Sequence, residues 1–112
     1  MIQFTGPDSA PTAFIVDNTL LLPDGKVAGL LLGNCIFAGD GTIKAKYFRK
    51  TLFALDGKIL AKESALVNPV KIDHESMMKQ AWQIFVKIKD NSNPIIDPGK
   101  KWSALSIEKH FL

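Results

Sequence analysis

The sequence contains very few of the residues on which many small proteins depend for stability or chemistry. Cys35 is the only cysteine among 112 residues, so no intramolecular disulfide can form and packing must hold the fold together. The longest apolar run, Val27 to Leu32, is far shorter than the roughly 20 residues of a membrane-spanning helix, so we expect no membrane association. No basic stretch followed by an apolar run opens the chain. These absences favour a cytoplasmic protein.

Length and composition indicate one globular domain over residues 1–112. Hydrophobic residues make up 46% and charged residues 22% of the chain, which are ordinary values and argue against disorder. A chain of this length can bury one core and is too short for two. The formal net charge of +3 is compatible with an anionic partner and equally with plain solubility.

A unit of 16 residues is repeated four times between residues 3 and 66. Its marker is an Asp followed by a small, turn-prone residue, at Asp8-Ser9, Asp24-Gly25, Asp40-Gly41 and Asp56-Gly57. The second column of the repeat is always apolar and reads Phe4, Leu20, Ile36, Leu52. The ninth is also apolar, and the eleventh is always small and reads Ala13, Gly29, Ala45, Ala61. Agreement of four columns at one period indicates a repeated structural unit.

Each copy of the repeat predicts a two-stranded β-hairpin. Asp-Gly between two apolar runs is typical of a hairpin turn, and we expect a type I′ turn with positive φ at both central residues. Because one hairpin is marginally stable in water, the four must share a core. The predicted fold is mainly β with a C-terminal α region: eight short strands in a pseudo-fourfold rosette or closed barrel-like arrangement. The small eleventh column would lie where the backbones crowd together.

The turn sequences Asp24-Gly25-Lys26-Val27 and Asp56-Gly57-Lys58-Ile59, repeated at this spacing, resemble those of the bacterial proteins called four-fold β-flower domains. The resemblance covers residues 3–66, over half of the chain. It implies the hairpin fold and a bacterial source. It implies no activity, because that family is not tied to a reaction.

The second copy of the repeat is apolar on both faces, with leucine at residues 20–22 and 30–32. A strand that is apolar on both faces must be covered on both faces. The candidates for the outer cover are the C-terminal segment and a second subunit.

The C-terminal part predicts an amphipathic helix over residues 73–90, with Asp73 as the N-cap and a stop near Asn91. Apolar residues follow helical spacing, at Met78, Ala81, Trp82, Phe85 and Ile88. We expect this stripe to dock on the leucine-rich second copy, so that Trp82→Ala costs on the order of 3–5 kcal/mol. Residues 95–112 predict a tail with a short last helix.

Little in the sequence points to catalysis or to a metal. The side chains of Asp73-His74-Glu75 point in different directions on a helix, which argues against a shared metal ion. Cys35 with His74 or His110 has the residue types of a nucleophile pair, but its place in the repeat favours a buried structural thiol. The repeated aspartates are interpreted as turn residues rather than calcium ligands. We therefore predict no metal or cofactor, and we favour a protein without enzymatic activity.

The most suggestive local feature is the basic run over residues 44–50. On a strand, Lys44, Lys46 and Lys50 would share one face, while Tyr47 and Arg49 would share the other. Basic charge interleaved with aromatic rings is typical of surfaces that bind single-stranded nucleic acid or other anionic ligands. A solvated strand whose lysines protect it from aggregation is the favoured interpretation.

These patterns favour a non-enzymatic binding or interaction module. Its partner would be a second copy or another protein, contacted through the apolar second copy of the repeat or the helical tail. The alternative is nucleic-acid or anionic-ligand binding through Lys44, Lys46, Tyr47, Arg49 and Lys50. A small enzyme ranks last because no paired acid and base is visible.

Overall fold

The computed structural model describes residues 1–8, 10–65, 72–89 and 94–111. Eight antiparallel strands follow one another around a closed barrel, and the last strand pairs with the first. The strands are β1 Ile2–Thr5, β2 Pro11–Val16, β3 Thr19–Leu21, β4 Val27–Leu32, β5 Cys35–Ala38, β6 Ile43–Phe48, β7 Thr51–Ala54 and β8 Ile59–Glu63. Two helices follow, α1 His74–Phe85 and α2 Ile107–Phe111. The predicted mainly β fold of hairpins with C-terminal helices is confirmed.

The barrel repeats every 16 residues in its strand register as well as in its sequence. Each odd-numbered strand and its successor shift register once, between Phe4/Thr5, Leu20/Leu21, Ile36/Phe37 and Leu52/Phe53. Such a shift places one extra residue in the longer strand and increases its bend and twist. The recurrence of the same irregularity in all four hairpins supports the pseudo-fourfold arrangement.

The Asp-Gly turns differ from the expected type I′ geometry, so that expectation was wrong. Within Asp24-Gly25, Asp40-Gly41 and Asp56-Gly57, positive φ occurs at the glycine and not at the aspartate. The N–H of Gly25 donates to the Leu22 carbonyl at 2.8 Å, and the other two turns repeat this bond. Each is a three-residue loop in which a type I turn is followed by a left-handed glycine. Ser9, in the first copy's turn, lies outside the described residues.

Type I′ turns are found at the opposite end of the barrel. Asp17-Asn18 and Arg49-Lys50 have positive φ at both residues and join strands through two-residue loops. Gly33-Asn34 occupies the equivalent place between β4 and β5. The expected strand over residues 44–50 is therefore wrong at its end, because β6 stops at Phe48 and the chain turns.

The barrel interior pairs the large second column with the small eleventh column. The cross-strand partners are Phe4 with Ala13, Leu20 with Gly29, Ile36 with Ala45, and Leu52 with Ala61, and all eight are buried. A Cβ built on Gly29 would lie 2.7 Å from the carbonyl oxygen of Phe37. The expected crowding at the eleventh column is thus present, since each small residue leaves room for the large side chain opposite.

The C-terminal segment covers the barrel in three places. Helix α1 packs on the outside against β4. Residues 101–103 run parallel to the start of β8, where the N–H of Ile59 donates to the Lys101 carbonyl and the N–H of Ser103 donates to the Ile59 carbonyl. Helix α2 closes the Asp-Gly end of the barrel, with Ile107 and Phe111 in the interior core.

Replacing Ala45 by Phe should destabilise the barrel by roughly 1–3 kcal/mol or more, because a large side chain would overpack the interior beside Ile36. Ala104→Phe is the matched control, since Ala104 is exposed. Thermal unfolding of both variants measures the difference. An Ala45→Phe variant that unfolds at the same temperature as the wild type would contradict the placement of the eleventh column in the interior.

Candidate functional site

Helix α1 carries two adjacent apolar lines, of which one is buried and one is exposed. Met77, Ala81 and Ile84 are buried against the barrel. Met78, Trp82 and Phe85, one residue further around the helix, are 56%, 63% and 49% exposed. A helix with so wide an apolar stripe would normally bury most of it. Here the second line is left in solvent.

The buried line faces the outer surface of the leucine-rich hairpin. Leu21 and Leu30 point outward and pack with Phe14 and Phe37 against the helix. The prediction that the C-terminal segment covers the second copy is therefore confirmed for α1. Leu31 instead packs against the interior core.

The expected burial of Trp82 is wrong, as is that of Met78 and Phe85. Ala81 lies in the contact as expected, and Ile88 is partly buried against the same outer core. The barrel surface is convex, so a straight helix touches it along one narrow line. Met77, Ala81 and Ile84 form that line, and α1 ends at Phe85, short of the predicted residue 90. The predicted stop at Asn91 lies outside the described residues.

The exposed line borders a groove between α1 and the barrel. The rings of Trp82 and Phe85 stack with centroids 5.5 Å apart and planes 23° apart. Across from them lie Leu30 and Leu32, with the tight turn before β3 at one end. The groove has a volume of about 240 Å³. We call the exposed residues Leu32, Met78, Trp82, Phe85 and Val86 the α1 apolar surface.

Charged side chains lie in the first two turns of α1 and in the chain that follows the helix. Glu75, in the first turn of the helix, has a carboxylate oxygen 3.5 Å from Nζ of Lys79, and both side chains are exposed. Lys87 and Lys89 are exposed beyond the last turn. Lys87 and Lys89 line a separate cavity with Asp40 and Gly41, and they do not line the groove at Trp82.

The structure does not bring the basic run together as one face. Lys46 is only 8% exposed, and its Nζ donates to the Pro94 carbonyl at 2.8 Å. Lys44 is half-buried, and its carbonyl oxygen lies 2.7 Å from Nε2 of His110. Arg49 and Lys50 form a turn. The hypothesis of anionic-ligand binding stays a prediction, and this placement gives it no support.

Tyr47 is half-buried and packs against the interior core of the barrel. The ring of Tyr47 lies edge-on to the ring of Phe4, with the two centroids 5.4 Å apart. The Tyr47 hydroxyl donates a short hydrogen bond to the Glu63 carboxylate. The two residues share one repeat column with Ile15 and Leu31, in which Glu63 is the exception to an apolar pattern. Burial, followed by the hydrogen bond to Glu63, raises the pKa of Tyr47 to about 12. The hydrogen bond gives the Glu63 carboxylate a partner at a position where the other copies have no charged residue.

The repeated aspartates stabilise their own turns. In Asp24, Asp40 and Asp56, Oδ1 accepts the N–H of the residue two positions later at 2.9–3.0 Å. A hydrogen bond from the Thr42 hydroxyl to Asp40 holds the pKa of that carboxyl below its usual value. The interpretation of these residues as turn formers is confirmed.

Chemically reactive groups are dispersed over the fold. Cys35 is buried in the outer core beneath α1, and His74 is exposed at the start of that helix. Across residues 1–8, 10–65, 72–89 and 94–111, no three His, Cys, Asp or Glu side chains are placed to hold a metal ion. Within the same residues, no helix has the length and apolar character needed to cross a membrane.

No protein-family model, curated protein or solved structure matches this chain. The resemblance to four-fold β-flower domains therefore stays a prediction. The α1 apolar surface is therefore a candidate site on the basis of its geometry alone.

Trp82→Ala should change the free energy of unfolding by less than about 1 kcal/mol, because most of the side chain is already in water. Ile84→Ala, in the same helix but in the buried line, should cost about 2–5 kcal/mol. Denaturant unfolding of the two variants gives both values. Equal losses of unfolding free energy in the two variants would mean that Trp82 is buried against the barrel.

Absorbance of the phenolate tests the Tyr47 environment directly, since Tyr47 is the only tyrosine in the sequence. We expect a midpoint near pH 12 in the folded chain and near the usual pKa of about 10 in denaturant. Because the unfolded chain loses this proton first, stability should fall as the pH rises from about 10 to about 12, and less so in Tyr47→Phe. A folded-state midpoint near 10 would contradict the partly buried pair of Tyr47 and Glu63.

Proposed function

We propose that this protein is a non-enzymatic protein-interaction module that binds through the α1 apolar surface. One observation carries the proposal: a stacked Trp82 and Phe85, with Met78 beside them, are exposed on a helix whose adjacent apolar line is anchored to the barrel. Aromatic residues and Met are enriched at the centres of protein interfaces. Contiguous exposed apolar groups on a small protein usually mark an interaction site.

The groove adds shape to this apolar surface. Its walls are the Trp82 and Phe85 rings on one side and Leu30 with Leu32 on the other, so an apolar side chain of a partner could be enclosed. Burial of an aromatic anchor in such a pocket supplies much of the binding energy in many interfaces. The helix is also held rigidly by its buried line, which lowers the cost of ordering on binding.

The surface can be tested with a fluorescent apolar dye before any partner is known. Trp82→Ser should lower dye binding several-fold, because it removes the largest wall of the groove while leaving the fold intact. Leu105→Ser is the matched control, since Leu105 is 49% exposed but lies just before α2. If both variants bind dye as the wild type does, the α1 apolar surface is not a binding site.

The proposal extends to the family of this protein and to its location in the cell. Membership of the four-fold β-flower family is supported by the hairpin and register shift that recur every 16 residues. A cytoplasmic location is supported by a fold built without disulfides, in which the single cysteine, Cys35, is buried in the outer core.

A further inference from the structure

We infer that Asp24 is a site of spontaneous conversion to isoaspartate, and that Thr42 and the C-terminal segment protect the two other Asp-Gly turns from the same reaction. The inference is independent of the α1 apolar surface. It follows from a comparison of three turns that share Asp-Gly and one backbone geometry but have different surroundings.

An Asp-Gly pair presents little steric resistance to this reaction, because glycine has no side chain beside its amide nitrogen. The nitrogen of Gly25 attacks Cγ of the Asp24 carboxyl group. A C–N bond forms, the Cγ–OH bond breaks, and one water leaves with the amide proton. Water then opens the five-membered imide ring, and opening at the main-chain carbonyl leaves the chain running through Cγ, which is isoaspartate. The reaction needs no oxidant or cofactor, and the mass of the chain is unchanged.

All three turns have the same internal hydrogen bonds. In each, the glycine N–H donates to the carbonyl three residues earlier, and Oδ1 of the aspartate accepts the N–H two residues later. Ring closure must break both bonds, because the amide nitrogen has to meet Cγ. This cost is common to the three turns, so it does not distinguish them.

The turn at Asp40 is held by its own threonine and by the chain after α1. The Thr42 hydroxyl donates to Oδ1 of Asp40 at 2.6 Å, in addition to the Thr42 N–H. Gly41 is buried, and a Cβ built on it would collide with the carbonyl group of Lys87. The peptide between Asp40 and Gly41 therefore has little room to rotate. The hydroxyl bond also lowers the pKa of Asp40, so less of the reactive protonated carboxyl is present.

The turn at Asp56 is held by the C-terminal tail. The carbonyl of Gly57 accepts the N–H of Gly99 at 2.9 Å. Gly57 is buried, and a Cβ built on it would collide with the carbonyl group of Asp97. The peptide between Asp56 and Gly57 can therefore rotate only after the tail has moved away.

The turn at Asp24 has no such additional hydrogen bond within the parts of the chain that the structure describes. Asp24 is exposed, and Gly25 is half-buried where Gly41 and Gly57 are buried. Local opening at this turn breaks only the bonds common to the three copies. Because the reaction proceeds from opened conformations, the turn with the fewest contacts reacts first. Conversion removes the carboxylate from the Lys26 N–H and adds one methylene group to the backbone between β3 and β4.

Peptide mapping by mass spectrometry, with fragmentation that distinguishes the two linkages, tests the inference after prolonged incubation of the full chain at mildly acidic pH. Isoaspartate should accumulate at Asp24 about tenfold faster than at Asp40 or Asp56, since each protected turn must lose one further hydrogen bond. The same chain in denaturant is the matched control, because it removes the surroundings and keeps the sequence. There the three rates should be similar.

Two substitutions test the cause. Thr42→Val removes the hydroxyl bond and should raise the rate at Asp40 several-fold, with no change at Asp24. Asp24→Glu should abolish the modification at residue 24, because the six-membered ring that a glutamate must form closes far more slowly.

Equal rates at the three turns of the folded chain, or a higher rate at Asp40 or Asp56, would overturn the inference. A folded chain that stays unmodified, while the chain in denaturant reacts at all three turns, would overturn it as well. A Thr42→Val variant with an unchanged rate at Asp40 would overturn the protective role of Thr42.

Discussion

The contact on which the rest of the molecule depends is the pairing of one large and one small side chain across each hairpin, inside the barrel. Phe4 lies opposite Ala13, and Leu20 lies opposite Gly29, with the same arrangement in the other two copies. A closed barrel of eight short strands has room for side chains and little else. Four large residues fill that room because their partners are small, and two large residues in one pair would exceed it. Closure in turn removes the unpaired strand edges that make small sheets prone to aggregate.

Closure also determines where the candidate binding surface lies. Since the interior accepts one face of each strand, the apolar outer face of the leucine-rich hairpin needs a separate cover, which α1 provides. A helix on a convex sheet contacts it along one line, here Met77, Ala81 and Ile84. The adjacent line with Trp82 stays in solvent beside a groove. The exposed aromatic residues are therefore a consequence of how the core is covered, and they are available for a partner.

The repeat allowed much of the fold to be predicted from the sequence. The 16-residue period located the strand pairs, and the apolar and small columns identified the interior. The turn geometry was harder to predict, because Asp-Gly occurs in both two-residue and three-residue loops. The register shift beside each Asp-Gly turn selects the three-residue loop. Arg49-Lys50 has no glycine, so its positive φ values come from the register that the other copies share.

The candidate site was harder to predict than the fold. Met77 and Met78 both fit a helical period, and the choice between them depends on the curvature of a surface formed by distant strands. The basic run was misleading because its side chains contact parts of the chain that are distant in sequence. Tyr47 belongs to the interior column, and the carbonyl of Pro94, in the C-terminal tail, accepts the hydrogen bond from Lys46. One signal was available in advance. Trp82, Phe85 and Met78 made the apolar stripe wider than a single line of contact can bury.

Closure of the barrel between its first and last strands is the most direct test of this picture. Antiparallel pairing of β1 with β8 brings Phe4 opposite Glu63 and Thr5 opposite Lys62, and the N–H of Ser64 bonds to the Gln3 carbonyl at 2.8 Å. Nuclear Overhauser effects between the backbone protons of Phe4 and Glu63, with slow exchange of the Ser64 amide proton, are the predicted result. Their absence, with the other seven strand pairings intact, would show an open sheet and contradict the closed fourfold core.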